Sequence, residues 1–327
     1  MEGFRIVEFK HIEKDLELYH KLGAKKGVWV GFDCANDFYN MKESGVTDWT
    51  GLPQSGKTEL LLELLFNTSD FYDWKHLLYV PDIGDAIEVM AILIHKTTGK
   101  TFDKKYPNYI EIKEAFKACT WLMQHFFILE KTDPKAKLTP IQFWEYAIEF
   151  KKTHGIQTAT IDSWKDMHHP YESYGGNYAK YLSEVLPIRN MISEQHNLHL
   201  HTVIHPKTPR RNKEGKLYHP QTDDMEGGAQ WNNSGKTIIS VHRETYDTTI
   251  ADVQILKAKP KAVGKRGMFA LNYNVAKSRY FETLINGNEM YAHKQNEGKI
   301  ETHEQPKQIQ PNLGFSDRVD EGNIAPF

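Results

Sequence analysis

Residues Gly51 to Thr58 read Gly-Leu-Pro-Gln-Ser-Gly-Lys-Thr, the G-x-x-x-x-G-K-[ST] pattern of a phosphate-binding loop. In such a loop, backbone N–H groups at a helix N-terminus bind phosphate, the lysine contacts the terminal phosphates, and the last hydroxyl binds Mg²⁺. We therefore expect the chain to bind a nucleoside triphosphate with Mg²⁺. The residues expected to bind it are Gly51, Pro53, Gln54, Ser55, Gly56, Lys57, Thr58 and Leu60.

Both flanks of this loop favour the required strand-loop-helix turn. Val46 to Thr50 is typical of a short strand, and residues 58–66 are mainly strong helix formers. Two other Gly-Lys-Thr tripeptides, at 99–101 and 235–237, carry Ile94 and Gln230 where the first glycine belongs. Neither is a phosphate loop.

Phosphoryl transfer also needs a magnesium ligand and a carboxylate that orients the attacking water. Asp162 follows the strand-like run 158–161 and is the expected metal ligand, together with the hydroxyl of Thr58. Asp82 follows an earlier strand-like run and is the expected water-orienting catalytic residue. The alternatives to Asp82 are Asp85 and Glu88.

His205 ends another buried-type strand, at the edge where ligands of open α/β sheets bind. We expect it to donate a hydrogen bond to the terminal phosphate. His199 and His201 alternate on one strand face without evident acidic ligand partners, so a metal site is not expected there.

Cations concentrate in two segments. The first is an aperiodic loop that is either solvated surface or a binding site for the phosphate backbone of single-stranded nucleic acid. Its cations are Lys207, Arg210, Arg211, Lys213 and Lys216. The second lies at a strand end and turn, where cations serve either a solvated hairpin or the developing charge of phosphoryl transfer. Its cations are Lys257, Lys259, Lys261, Lys265 and Arg266.

Apolar strand-like runs alternate with helical patterns after the phosphate loop, which predicts an α/β fold with a mostly parallel sheet. These runs are 76–80, 83–94, 110–124, 126–129, 141–152, 158–161, 178–193 and 199–204. From residue 237 the strands follow one another without helices, which indicates an antiparallel C-terminal extension. The strands there are 237–242, 250–257 and 268–273, and the core is expected to end near Phe281.

Three regions are predicted. Residues 1–25 hold a linker helix over 10–22, which packs either on its own domain or on a neighbouring subunit; residues 26–285 form the core. Residues 286–327 are polar and are expected to be a disordered tail. Its acidic end, closed by the apolar tip 324–327, is either inert or recruits a partner. This end resembles the C-terminal peptides with which single-stranded-DNA-binding proteins and phage helicases recruit replication partners, and the resemblance implies a partner such as a primase or polymerase.

Composition restricts the kinds of partner and the cellular compartment that we expect for this chain. The net charge of −2 gives no global attraction to nucleic acid, so such binding must be local. Two cysteines among 327 residues are too few for a disulfide framework and fit a reducing cytoplasm, bacterial or that of a phage host. No signal peptide or membrane-spanning pattern is present.

Residues 27–281 together resemble the RecA-like ATPase core of ring-forming replicative DNA helicases of the Twinkle and phage primase-helicase type. The resemblance rests on a set of motifs in a fixed order. They are Gly51–Thr58, Gly99–Phe102, His125–Phe127, Gly155-Ile156, Asp162–Trp164, His205-Pro206, Gly228–Trp231, Val241–Arg243, and Lys257–Lys259 with Gly264 and Gly267.

The resemblance implies a hexameric ring that hydrolyses ATP at subunit interfaces and moves along single-stranded DNA. It implies that Lys259, two residues after Lys257, reaches the ATP of the adjacent subunit, and that Arg243 and Tyr273 stack the base. We expect any primase to be a separate protein. The alternatives are a RecA-like filament or clamp that binds DNA without unwinding it, and an ATP-gated loading protein.

The chain departs from that family at three positions. Asp82 stands where Glu is usual, Lys259 where Arg is usual, and Lys236 where an acid is usual. A shorter carboxylate and a cation without a bidentate fork predict slower or differently tuned hydrolysis.

Overall fold

The computed structural model describes residues 3, 5–207, 210, 211, 213, 217–245 and 247–292. The described residues form one ten-stranded sheet with the strand order β10-β9-β8-β7-β6-β1-β5-β4-β2-β3. Its strands are β1 (Gly45–Gly51), β2 (His76–Tyr79), β3 (Phe126–Ile128), β4 (Thr158–Ile161), β5 (His199–Val203), β6 (Thr237–His242), β7 (Ile250–Lys257), β8 (Gly267–Asn274), β9 (Arg279–Thr283) and β10 (Glu289–Tyr291).

Strands β1 to β6 are parallel, and β6 to β10 continue the sheet as antiparallel neighbours. The carboxyl ends of β1, β2, β4 and β5 therefore meet at one edge. The helices are α1 (Glu13–Leu22), α2 (Lys57–Tyr72), α3 (Ala86–Thr98), α4 (Ile112–His125), α5 (Pro140–His154), α6 (Tyr178–His196) and α7 (Gly228–Ser234).

Two apolar cores lie on opposite faces of the sheet. One contains α2, α3 and α4 packed on alternate strand residues such as Trp49 and Leu78. The other contains α5, α6 and α7 packed on the intervening residues, such as Val46 and Leu77. Alternate residues of each buried strand thus point to different helix layers, as the two-residue period of a strand requires.

The predicted α/β class, with a mostly parallel sheet and an antiparallel C-terminal extension, is confirmed. The predicted strands 158–161, 237–242 and 250–257 coincide with β4, β6 and β7. The sheet continues beyond Phe281, where the core was expected to end, because β10 pairs with β9 and Tyr291 is buried. Strand β10 lies inside the range predicted as tail; residues 293–327 lie outside the described part.

Helix α1 confirms the helical pattern seen in the sequence, but none of its residues is buried. The apolar side chains of Ile12, Leu16 and Tyr19 are all exposed. Among the described residues, this helix is therefore not packed on its own domain. Its docking on a neighbouring subunit stays a prediction. Within that same part, no helix combines the length and apolar character needed to cross a bilayer.

A buried ion pair fixes the strand that leads to the phosphate loop. Arg189 of α6 contacts both carboxylate oxygens of Asp48 in β1, at 2.5 Å and 3.2 Å, and both side chains are fully buried. Burial raises the pKa of Asp48, and the guanidinium opposes that shift. Removing one partner would leave an uncompensated charge in the core.

Replacing Arg189 with Met should lower the free energy of unfolding by about 3–5 kcal/mol, because Asp48 loses its counter-charge. Replacing both residues, Asp48→Leu with Arg189→Met, should restore much of that loss, since no buried charge remains. Urea unfolding of the two variants measures this. A loss below about 1 kcal/mol for Arg189→Met alone would contradict the assignment.

Candidate functional site

The phosphate loop spans residues 52–56, between the end of β1 and the start of α2. Gly51 and Gly56 have φ angles of 154° and 88°, and a Cβ on Gly56 would lie 2.5 Å from the Tyr280 hydroxyl. Glycine is required at position 56 because the backbone is left-handed and approached closely by a side chain. The turn thereby aims the N-terminus of α2 at the carboxyl edge of the sheet.

Lys57 lies in this loop with its ammonium turned inward. Its Nζ donates to the Leu52 carbonyl at 3.0 Å, and the residue is 6% exposed. Burial lowers its pKa, while Asp162 and Asp82 oppose the shift. Among the described residues, the buried Ser55 Oγ and Arg243 Nε have no hydrogen-bond partner. The loop therefore presents polar groups that an anionic ligand could satisfy.

Asp162 and Thr58 lie in contact, as a shared magnesium shell requires. Thr58 Oγ1 donates to Asp162 Oδ2 at 2.5 Å. Asp162 is 1% exposed, and burial raises its pKa to about 6 despite the Thr58 hydrogen bond and the Lys57 charge. A buried carboxylate beside a hydroxyl is an oxygen donor set that suits Mg²⁺ bound through one or two protein ligands. These two residues fit the predicted ion.

Asp82 and His205 are also brought together at this edge. His205 Nε2 lies 3.2 Å from Asp82 Oδ2, and Lys165 Nζ lies 3.1 Å from Asp82 Oδ1. Desolvation alone would raise the pKa of Asp82, but the contacts with Lys165 and His205 together hold it below its usual value. Burial and the Lys57 charge lower the pKa of His205, which favours the neutral imidazole.

The residues expected to contact the base lie on the other side of the loop. The Arg243 guanidinium is 5.6 Å from the centre of the Tyr273 ring, and a Cβ on Gly56 would lie 3.0 Å from Arg243 Nη2. Tyr273 is held by Ser278 Oγ at 3.0 Å. Leu60 differs from expectation: its side chain is buried in the core and its N–H donates to the Gly56 carbonyl, so it does not line the loop.

Lys257 and Lys259 lie at the end of the sheet opposite to the phosphate loop, where β6 begins. Strand β7 runs antiparallel to β6, and Lys257 pairs with Ile238 near the start of β6, whereas Gly51 pairs with Val241 near its end. Lys257 donates to the Asn232 carbonyl of α7. Neither lysine therefore contacts the phosphate loop of its own chain.

The basic loop starts where β5 ends. Pro206 and Met225 form a bridge at its base, and the Lys207 N–H donates to the Asp224 carbonyl. Arg210 forms an ion pair with Asp224, with Nε and Oδ1 2.7 Å apart. Lys207, Arg211 and Lys213 are exposed, and Lys216 lies outside the described residues.

No family model matches the chain. It is 22% identical over 293 residues to the Twinkle homolog protein, chloroplastic/mitochondrial, of Arabidopsis thaliana, covering 86% of this chain and 40% of that protein. The chain thus spans about two fifths of the length of the curated relative it matches.

Solved structures match over most of the chain. One solved ATPase domain superposes with a TM-score of 0.67 at 15% identity, covering 84% of this chain and 99% of that one. A DnaB-like replicative helicase, solved in a study of its interactions with primase, gives a TM-score of 0.66 at 16% identity. The match covers 85% of this chain and 67% of that one.

The chain has a RecA-like ATPase fold. The predicted resemblance to the RecA-like core of ring-forming replicative helicases of the Twinkle type is confirmed, in sequence by the Twinkle relative and in fold by the two solved structures.

Two features of this RecA-like site were not predicted from the sequence. Lys165 contacts Asp82, and its only signal in the sequence was its position three residues after Asp162, the predicted magnesium ligand. The second is a buried charge cluster beneath α2, for which no local motif exists. In it, Lys96 is 2.7 Å from Glu59 and 3.5 Å from Glu63, and Arg279 Nε is 2.6 Å from Glu63.

Asp162→Asn should stabilise the nucleotide-free, Mg²⁺-free protein at pH 7–8. The pKa of Asp162 is raised to about 6, so the stability contributed by its protonated form is lost as pH rises through that value. The gain is at most about 3 kcal/mol at pH 8 and should vanish near pH 3, where the folded and unfolded chains are both protonated at this residue. Urea unfolding across this range measures it; a gain that is the same at every pH would contradict the prediction.

Proposed function

We propose that the chain is an ATP-hydrolysing motor of a replicative DNA helicase, acting on single-stranded DNA as a ring of identical subunits. One observation carries the ATPase part. Asp82, Asp162 and His205, which follow three neighbouring parallel strands, converge with Lys57 and Thr58 at a single phosphate loop. This is the set of charges and donors that phosphoryl transfer requires.

Binding depends on the loop and on Lys57. The backbone N–H groups at the start of α2 would hold the phosphates, and the Lys57 ammonium would leave the Leu52 carbonyl for the terminal phosphate. Mg²⁺, held by Thr58 and Asp162, would neutralise developing charge on the phosphate oxygens. Arg243 and Tyr273 lie close enough to the loop to contact the base.

Asp82 would orient the attacking water, and His205 would donate to the terminal phosphate. Asp82 is ionised near neutral pH because its contacts with Lys165 and His205 outweigh desolvation and lower its pKa. An ionised carboxylate accepts the proton of water, which is the role this position needs. The neutral imidazole of His205 has a single N–H, which faces Asp82 Oδ2 in this structure and would turn to the terminal phosphate when ATP binds.

The position of Lys259 supports hydrolysis at interfaces between subunits. A cation at the sheet edge opposite the phosphate loop can complete a site only in another chain. Such a cation stabilises charge on the transferring phosphate. Lysine does this as a point charge, without the bidentate geometry of arginine.

The DNA-binding part of the proposal rests on the basic loop. Lys207 and Lys213 are exposed, and the loop starts directly after His205 in the nucleotide site. A phosphate backbone bound by this loop would lie next to the carboxyl end of β5, where His205 is proposed to contact the nucleotide. Arg210 would first have to leave Asp224, so we expect it to contribute less than the exposed Lys207 and Lys213.

Lys57→Ala should lower ATP turnover at least about a hundredfold, because the main point charge on the terminal phosphates is lost. Lys259→Ala should also be inactive alone. Mixing the two variants before assembly should restore part of the activity, since some interfaces combine an intact loop with an intact Lys259. Steady-state ATPase assays measure this.

The controls are the two variants assayed separately at the same total concentration. Activity of the mixture equal to the sum of the two variants, despite demonstrated subunit exchange, would contradict action between subunits. Electron micrographs with single-stranded DNA and a non-hydrolysable ATP analogue separate the rivals, because filaments rather than closed rings would favour the RecA-like alternative.

Removing the cations of the basic loop should weaken single-strand binding and flatten its salt dependence by about 0.7 in log–log slope for each lost phosphate contact. The replaced residues are Lys207, Arg210, Arg211, Lys213 and Lys216. The control loses five exposed lysines elsewhere, so that net charge is matched. These are Lys105, Lys113, Lys117, Lys131 and Lys152. Equal slopes for the two variants, measured by fluorescence anisotropy, would show that the loop does not bind DNA.

A further inference from the structure

Each carboxylate oxygen of Asp82 has one partner. Oδ1 lies 3.1 Å from Lys165 Nζ, and Oδ2 lies 3.2 Å from His205 Nε2. Each oxygen can still accept a second hydrogen bond, so water is not excluded. The Lys165 ammonium nevertheless neutralises the charge with which Asp82 would attract the proton of that water, so the carboxylate acts most strongly once Lys165 has left.

The fold makes this pairing specific. Asp82 follows β2 and Lys165 follows β4, and these two strands are hydrogen-bonded neighbours. Lys165 lies in the 3-10 turn Trp164–Asp166, which begins two residues after Asp162. Among the described residues, Lys165 forms an ion pair with Asp82 and none with the adjacent Asp166, whose carboxylate accepts from the Ser163 hydroxyl at 2.6 Å. The fold thus places the lysine against Asp82.

Of the two partners, Lys165 has more room to move. Its side chain is 54% exposed, against 24% for His205. Lys165 and His205 contact the two oxygens of the same carboxylate, so the Lys165 ammonium lies close to the imidazole. A terminal phosphate that accepts a hydrogen bond from His205, as the proposed function requires, would therefore place negative charge near the Lys165 ammonium.

We propose that Lys165 exchanges partners during the ATP cycle: it pairs with Asp82 in the nucleotide-free chain and with the terminal phosphate of bound ATP. The exchange removes the counter-charge from Asp82 Oδ1, so the carboxylate attracts the proton of the attacking water most strongly when a terminal phosphate is present. Lys165 is thus a cation supplied by the same chain, in addition to Lys259 from a neighbour. This inference rests on the proposed function.

The competing explanation is that Lys165 only holds Asp82 in place. The two explanations differ in a protein that lacks the Asp82 charge. In an Asp82→Asn background, a lysine that acts solely through Asp82 has no further role, whereas a lysine that contacts the terminal phosphate still contributes to binding.

The experiment measures equilibrium binding of the β,γ-imido analogue of ATP and of ADP, each with Mg²⁺, by calorimetry. In the Asp82→Asn background, adding Lys165→Met should weaken binding of the analogue about tenfold, the usual effect of one hydrogen bond to a charged group. ADP affinity should change less than about twofold, because ADP has no terminal phosphate. Lys165→Arg should retain most of the analogue affinity, since it keeps the charge.

Lys152→Met is the matched control, because Lys152 is an exposed lysine of α5 outside the site; neither affinity should change. Equal analogue affinity with and without Lys165, or an equal loss for analogue and ADP, would overturn the proposal. Thermal denaturation checks folding, and Lys165→Gln provides a second test if the methionine variant unfolds. Lys57→Ala distinguishes failure of this inference from failure of the proposed function. If this variant binds the analogue normally, the proposed function itself is contradicted.

Discussion

The hydrogen bond between Thr58 and Asp162 depends on a single constraint, which is that β1, β5, β4 and β2 are parallel and end at the same edge. Thr58 follows β1, and Asp162 follows β4 two strands away. Neither segment could bring these groups within 2.5 Å unless the register between them were fixed. The same register brings Asp82 from β2 and His205 from β5 to that edge. The arrangement of the site therefore depends on the register of the sheet more than on the conformation of any one loop.

Burial gives these groups their chemical character. Asp162 is almost fully buried and has a raised pKa, whereas Asp82 lies at the mouth of the site beside two donors and has a lowered one. Two aspartates at one edge thus differ in their tendency to ionise because their surroundings differ. A buried carboxylate that is reluctant to ionise gains most from a divalent cation, and an ionised one at the mouth is suited to water.

Local sequence signals predicted much of this arrangement. The phosphate loop has a recognisable motif. Strands β4 and β5 each show an apolar run that is followed by a polar residue, Asp162 and His205 respectively. Signals of both kinds can be read directly from the sequence. Strand β10 was missed because three residues carry no readable period, and Leu60 was misassigned because helix phase decides which neighbours of the loop face inward. The contact of Lys165 with Asp82 joins residues far apart in the chain, so no local pattern contains it.

The charge cluster beneath α2 ties the phosphate-loop helix to the end of the sheet. Glu63 of α2 is fully buried and is contacted by Arg279 at the start of β9 and by Lys96 of α3. A shortened chain that ended before Arg279 would leave Glu63 facing Lys96 without its second counter-charge, inside an apolar core. The antiparallel extension therefore supplies a counter-charge to the helix that follows the phosphate loop, and removing it would leave a buried carboxylate of that helix incompletely paired.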